Sequence, residues 1–156
     1  MKFTGELHDV RLINFSVKLD EVLPLVPKQL KILTDKGRAI VSLVDVKLKN
    51  MAIKGLPIIK FGYRHLAFRL LLEDHPLEPK GVYFLKSFSD KPFFNFIGNL
   101  ISNYNLSTGS IKEYFDAVSL KQDNQYIHYA LDPYSKIDSN MELYQKIKRI
   151  DRAYAT

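Results

Sequence analysis

One stretch of alternating residues holds most of the chain's chemistry: Tyr63-Arg64-His65-Leu66-Ala67-Phe68-Arg69-Leu70-Leu71-Leu72-Glu73. Successive side chains of a strand point to opposite sides. Tyr63, His65, Ala67, Arg69, Leu71 and Glu73 therefore share one face, and Leu66, Phe68, Leu70 and Leu72 the other. His65 and Arg69 then stand roughly 13 Å apart along the strand. An arginine fork recognises a carboxylate, and a histidine exchanges protons near neutral pH. Such a face suits a small organic anion. The same pattern also describes a half-buried sheet whose polar side meets water, and alternation alone leaves both readings open.

Other chemistries lack their residues. No cysteine occurs among the 156 residues, which removes disulfides, thiol nucleophiles, iron–sulfur clusters and thiolate zinc sites, and fits a reducing compartment. The four histidines, His8, His65, His75 and His128, show no local ligand spacing, so neither a metal nor a cofactor is expected. GxSxG, P-loop and GxGxxG motifs are missing. The formal charge of +6 falls wholly within residues 28–60, where Lys28, Lys31, Lys36, Arg38, Lys47, Lys49, Lys54 and Lys60 oppose only Asp35 and Asp45. No aromatic residue lies between Lys28 and Lys60 to stack on bases, so this reads as a solvated basic face and no nucleic-acid partner is expected. The N-terminus lacks an apolar signal core, and the uncharged run Pro92–Ile111 is broken by Asn95, Asn99, Asn103 and Asn105. A cytoplasmic protein without a membrane partner is the expectation.

Strands must position the polar face. Alternation predicts strands over Val10–Lys18, Arg38–Lys49, Phe61–Glu73, Val82–Phe88, Glu113–Lys121 and Gln125–Leu131. Asp20 offers a cap for a short helix over Glu21–Gln29, limited by Pro24 and Pro27, and Asn50–Lys60 reads as a connecting loop. His75–Gly81 is a turn by composition, and Gln122-Asp123-Asn124 has the residues of a tight hairpin. Helical spacing marks Phe93–Asn103 and, after the capping box Ser139–Glu142, an amphipathic stripe from Leu143 to Tyr154. Strands with separated helices indicate a mostly antiparallel, β-rich α+β domain over residues 1–156.

The order of segments resembles a large, mostly uncharacterised bacterial family related to acetoacetate decarboxylase. The resemblance rests on Asn14–Leu30, with its strand, acidic short helix and Val26-Pro27-Lys28-Gln29-Leu30. It continues through Gly37–Val44 and the strand Gly81-Val82-Tyr83-Phe84-Leu85, together spanning residues 10–132. It implies a curved antiparallel sheet forming a cone or partial β-barrel, with short helices outside and a pocket within. Where the family carries Glu-x-Asn-x-Arg, this chain has His65, Ala67 and Arg69, keeping only the arginine directed to the cavity. The decarboxylase's Schiff-base lysine, one of a pair, follows a proline. Here Phe93 and Phe94 follow Pro92, and Lys86 and Lys91 have no adjacent lysine to depress their pKa.

The resemblance thus implies a small-molecule pocket protein for an organic anion, without lysine-dependent decarboxylation. Arg69 would hold the anion, with Tyr63, Tyr83 and Lys86 as wall residues. An enzyme reading assigns general acid–base work to His65 or Glu73, and a third reading is a structural or interaction protein. The family's further C-terminal strands are expected to be missing. The edges left open would then be covered in a homodimer.

Overall fold

The computed structural model describes residues 3–53, 56–73, 81–92, 95, 99, 106–114, 117–130 and 152–154. Among these residues ten strands run in chain order: β1 (Phe3–Lys18), β2 (Thr34–Asp35), β3 (Arg38–Ile53), β4 (Leu56–Leu71), β5 (Gly81–Ser89), β6 (Leu106–Thr108), β7 (Ser110–Glu113), β8 (Ala117–Gln122), β9 (Gln125–Ala130) and β10 (Arg152–Tyr154). A short helix α1 (Leu19–Val22) and a 3-10 turn (Leu23–Leu25) follow β1.

The larger sheet runs β1-β3-β4-β5-β10, with β2 also on β3 and β6 also on β5. β1, β3, β4 and β5 pair antiparallel, whereas β6 and β10 lie parallel to β5. The smaller sheet is the antiparallel β7-β8-β9. Two hairpin turns among the described residues use left-handed backbone. Lys36 (φ 48°) and Gly37 (φ 75°) join Asp35 to its partner Arg38, and Asp123 (φ 49°) lies between the paired Gln122 and Gln125.

The β-rich α+β architecture with a curved sheet is as the sequence implies, but the sheet is mixed and, among the described residues, does not close into a barrel. The segment 50–60 is not a connecting loop. β3 and β4 extend through it, leaving only 54–55 between them, because Asn50 (φ 52°) and the register shift from Leu48 to Met51 take up the irregularity as a bulge. The helix over Glu21–Gln29 stops at Leu25. Pro24 lacks an N–H, and Pro27 holds Val26 extended at φ −121°, ψ 137°. Its N-cap is Lys18, and Asp20 falls in the first turn instead. The strand over Glu113–Lys121 is two strands, and the Tyr114 N–H donates to the Ala117 carbonyl across the break at 2.8 Å. Of the stripe ending at Tyr154, Arg152–Tyr154 is strand. The rest of that stripe, and most of Phe93–Asn103, lie outside the described residues.

The two faces of the large sheet differ. On one, Val22, Ile32, Ala39, Val41, Leu70, Leu72 and Tyr83 form a core beneath α1, continued by Leu43, Leu66 and Phe88 against Leu120 of the smaller sheet. On the other, Ile40, Leu71 and Val82 form a smaller apolar cluster. The polar residues lie beside it.

Candidate functional site

Cross-strand register sets the site. Arg69 is opposite Ser42 on β3 and Phe84 on β5; Ala67 is opposite Val44 and Ser87; His65 is opposite Val46 and Ser89. Directly opposed residues of an antiparallel pair share a face. Ala67 is therefore the floor of a patch with Arg69 at one end, His65 at the other, and Ser42, Ser87 and Phe84 around it. A bulge on β5 makes this arrangement. The register shift between Phe68 and Arg69 leaves Leu85 unopposed, so Phe84 and Ser87, three residues apart, point the same way.

Four polar atoms on this face are buried without a hydrogen-bond partner among the described residues: Ser42 Oγ, His65 Nε2, Arg69 Nε and Ser87 Oγ. Ser42 and Ser87 are fully buried and Ala67 nearly so. Buried donors and acceptors are almost always paired, so four orphans on one face mark it as the candidate site. The His65 ring lies stacked 6.5 Å from Phe84 and tilted 6.2 Å from Tyr63. Burial, and then the Arg69 cation, hold the His65 pKa down to about 4, so the ring is neutral at physiological pH. Burial also lowers that of Arg69. The face carries one guanidinium, a neutral imidazole and two buried hydroxyls, groups whose chemistry complements an anion with further oxygen atoms.

Of the residues singled out in sequence, Tyr63, His65 and Arg69 come together. Tyr83 and Lys86 project from the other face, opposite Leu70 and Phe68. Tyr83 is packed in the core beneath α1, and the Lys86 ammonium lies 5.1 Å from the centre of the Phe88 ring. Glu73 is exposed beyond the end of β4, its N–H donating to the Lys31 carbonyl at 2.9 Å. Sequence reasoning missed Ser42, Ser87 and Phe84. A lone small hydroxyl inside the apolar run Ile40-Val41-Ser42-Leu43-Val44 was the available signal for Ser42. The other two depend on a bulge that alternation cannot show.

A charged network lies on the opposite face, between the sheets. Arg64 Nε and Nη2 donate to the Asp45 carboxylate at 2.7 and 2.5 Å, and the Tyr129 hydroxyl donates to it as well. Glu113 accepts from Arg11, Lys47 and Arg64 at 3.1, 2.6 and 3.0 Å. The hydrogen bond from Lys47, more than any other cause, holds the Glu113 pKa low, and burial pushes the Tyr129 hydroxyl up to about 12. An open groove of about 400 Å³ runs along its rim past Lys49, Tyr63 and Asp90. Lys47 belongs to this network, whereas Lys28, Lys31, Lys36, Arg38, Lys49 and Lys60 are exposed, so most of the basic segment is solvated. Among the described residues no three of His, Asp and Glu gather as a metal site, and no helix is long and apolar enough to cross a membrane.

Residues 4–152 match the DUF2071 family, described as an uncharacterized conserved protein, and the chain belongs to that family. No curated protein matches it in sequence. Its fold is that of acetoacetate decarboxylase-like proteins. It is similar to acetoacetate decarboxylase from Legionella pneumophila (13% identity, TM-score 0.61, 94% of this chain and 55% of that one). It is also similar to the enduracididine biosynthesis enzyme MppR, solved with pyruvate (13% identity, TM-score 0.58, 87% and 58%) and with the condensation product of pyruvate and imidazole 4-carboxaldehyde (13% identity, TM-score 0.60, 83% and 55%). The chain spans little more than half the length of these structures.

Proposed function

We propose that this protein binds a small organic carboxylate over Ala67, with the acid on the Arg69 guanidinium and its remaining oxygens on Ser42, Ser87 and the neutral ring of His65. The observation that carries this reading is the set of four buried polar atoms left without partners on one face. Support comes from the neighbouring fold, since MppR has been solved with pyruvate. Lysine-dependent decarboxylation is not part of the proposal. Lys86 projects from the face opposite Arg69, and Phe93 and Phe94 occupy the positions after Pro92.

A thermal-shift series tests it, using pyruvate, acetate and acetoacetate against matched sodium chloride. A ligand at ten times its Kd adds about 1.4 kcal/mol to the folded state, or roughly 3–6 °C for a chain of this size. The shift is expected in the wild type and lost in Arg69→Gln, which removes the fork, and in Ala67→Leu, which keeps the fork and fills the floor. A shift that survives both substitutions, or no shift with any acid, contradicts the proposal.

Acid–base turnover of the bound acid is a second reading, favoured by the unpartnered ring nitrogen of His65 on the same face. It predicts a His65→Gln variant that retains the thermal shift but loses solvent deuterium incorporation into the bound acid. A wild type that exchanges no deuterium leaves binding alone.

A further inference from the structure

Two rings meet above the floor of the polar patch. Phe84 is opposite Arg69, and His65 lies four residues back along β4, roughly 13 Å away, with Ala67 between them. Their ring centres are nevertheless 6.5 Å apart and their planes 19° from parallel. Both side chains therefore lean inward and span the Ala67 floor. Tyr63 backs the imidazole from the far side, its ring centre 6.2 Å away, and Phe84 packs against the apolar cluster of Ile40, Leu71 and Val82. Ala67 is 1% exposed, and Ser42 and Ser87, at 0%, flank it on β3 and β5. The polar atoms assigned to the acid are thus buried, whereas Phe84 is half-buried, with part of it in contact with solvent.

We propose that Phe84 is the specificity-determining residue of this site: its ring turns aside to admit an acid and restacks on His65 above it, which restricts the ligand to short acids. This inference rests on the carboxylate reading and adds to it the size of the ligand. Neighbouring strands lie about 4.8 Å apart, so Ser42 and Ser87, on the strands either side of β4 and one pleat out of line, stand roughly 12 Å apart. Two hydrogen bonds of about 2.8 Å leave roughly 6 Å between them. That is the span of a chain of about four carbons. A longer chain has to run out between the rings of Phe84 and His65. It then holds them apart, losing their stacking and drawing Phe84 off Ile40, Leu71 and Val82. The bulge of β5 is what brings Phe84 to this position, since it turns Phe84 and Ser87 to the same face.

Isothermal titration calorimetry on the whole chain, with acetoacetate and hexanoate as the two probes, tests this. The wild type is expected to bind hexanoate at least about tenfold more weakly than acetoacetate. Phe84→Ala removes the ring, and Phe84→Leu removes its reach to His65 while keeping apolar contact with Ile40, Leu71 and Val82. Each is expected to bring hexanoate to within about threefold of acetoacetate, with far-UV circular dichroism unchanged. Equal affinity of the wild type for the two acids, or a preference for acetoacetate that survives both substitutions, overturns the role of Phe84 and leaves the carboxylate reading standing. Failure of either acid to bind the wild type, or binding undiminished in Arg69→Gln, overturns both.

Discussion

An imidazole and a guanidinium on one face, each with a buried and unpartnered nitrogen, cost the fold free energy, which the proposed anion would recover. The cost is measurable through pH. A histidine whose folded pKa is lowered to about 4 binds fewer protons folded than unfolded, between that value and the ordinary 6.5. Its effect on stability is therefore constant above about pH 6.5. Stability falls as the pH drops toward 4, by on the order of 3 kcal/mol. His65→Gln is expected to flatten the unfolding midpoint between pH 6.5 and 4.5, read by chemical denaturation; an unchanged slope contradicts the neutral, buried ring. Arg69 and His65 were legible in the sequence because alternation alone puts them on one face. Ser42 and Ser87 were not, since they reach that face through cross-strand register. Tyr83 and Lys86, expected as wall residues beside Arg69, lie on the other face for the same reason.

At the scale of elements, the two sheets meet through Leu43, Leu66, Phe88 and Leu120 and through the ions around Asp45 and Glu113. Asp45 is 1% exposed and Arg64 8%, so removing one partner strands a buried charge. Arg64→Met is expected to cost about 3–5 kcal/mol, while Arg64→Met with Asp45→Leu returns most of it. Urea titration of the single and double variants checks this, and an additive double variant contradicts it. In the β2–β3 hairpin, Gly37 has open space around it but a left-handed φ of 75°. Gly37→Ala should cost about 1 kcal/mol through backbone strain alone, seen as a lower urea midpoint with an unchanged slope. The longer strands and the tight turn at Asp123 were legible from alternation and turn residues, whereas the Lys36-Gly37 turn and the short strands β2, β6 and β10 were not. The extent of β3 and β4 was not, because Asn50 and Gly55-Leu56-Pro57 read locally as a turn, and only pairing between two 16-residue strands carries the ladder through.

At the scale of the molecule, an acetoacetate decarboxylase-like sheet is present in a chain that spans little more than half of its solved neighbours, and among the described residues β1 pairs only with β3. The order of segments made the fold recognisable. Sheet closure was not legible, because it depends on how far the strands curve and on what pairs their edges. The central claim, that an anion occupies the patch, is read most directly at His65 itself. Pyruvate is titrated into the isotopically labelled protein, and the ring signals of His65, assigned by loss in His65→Gln, are followed by NMR from pH 7 to 4. Saturable shifts confined to His65 among the four histidines, and a His65 pKa that rises on binding, are predicted because an anion beside the ring offsets the Arg69 cation. Binding that leaves the His65 signals and pKa unmoved, or shifts that persist in Arg69→Gln, would contradict it.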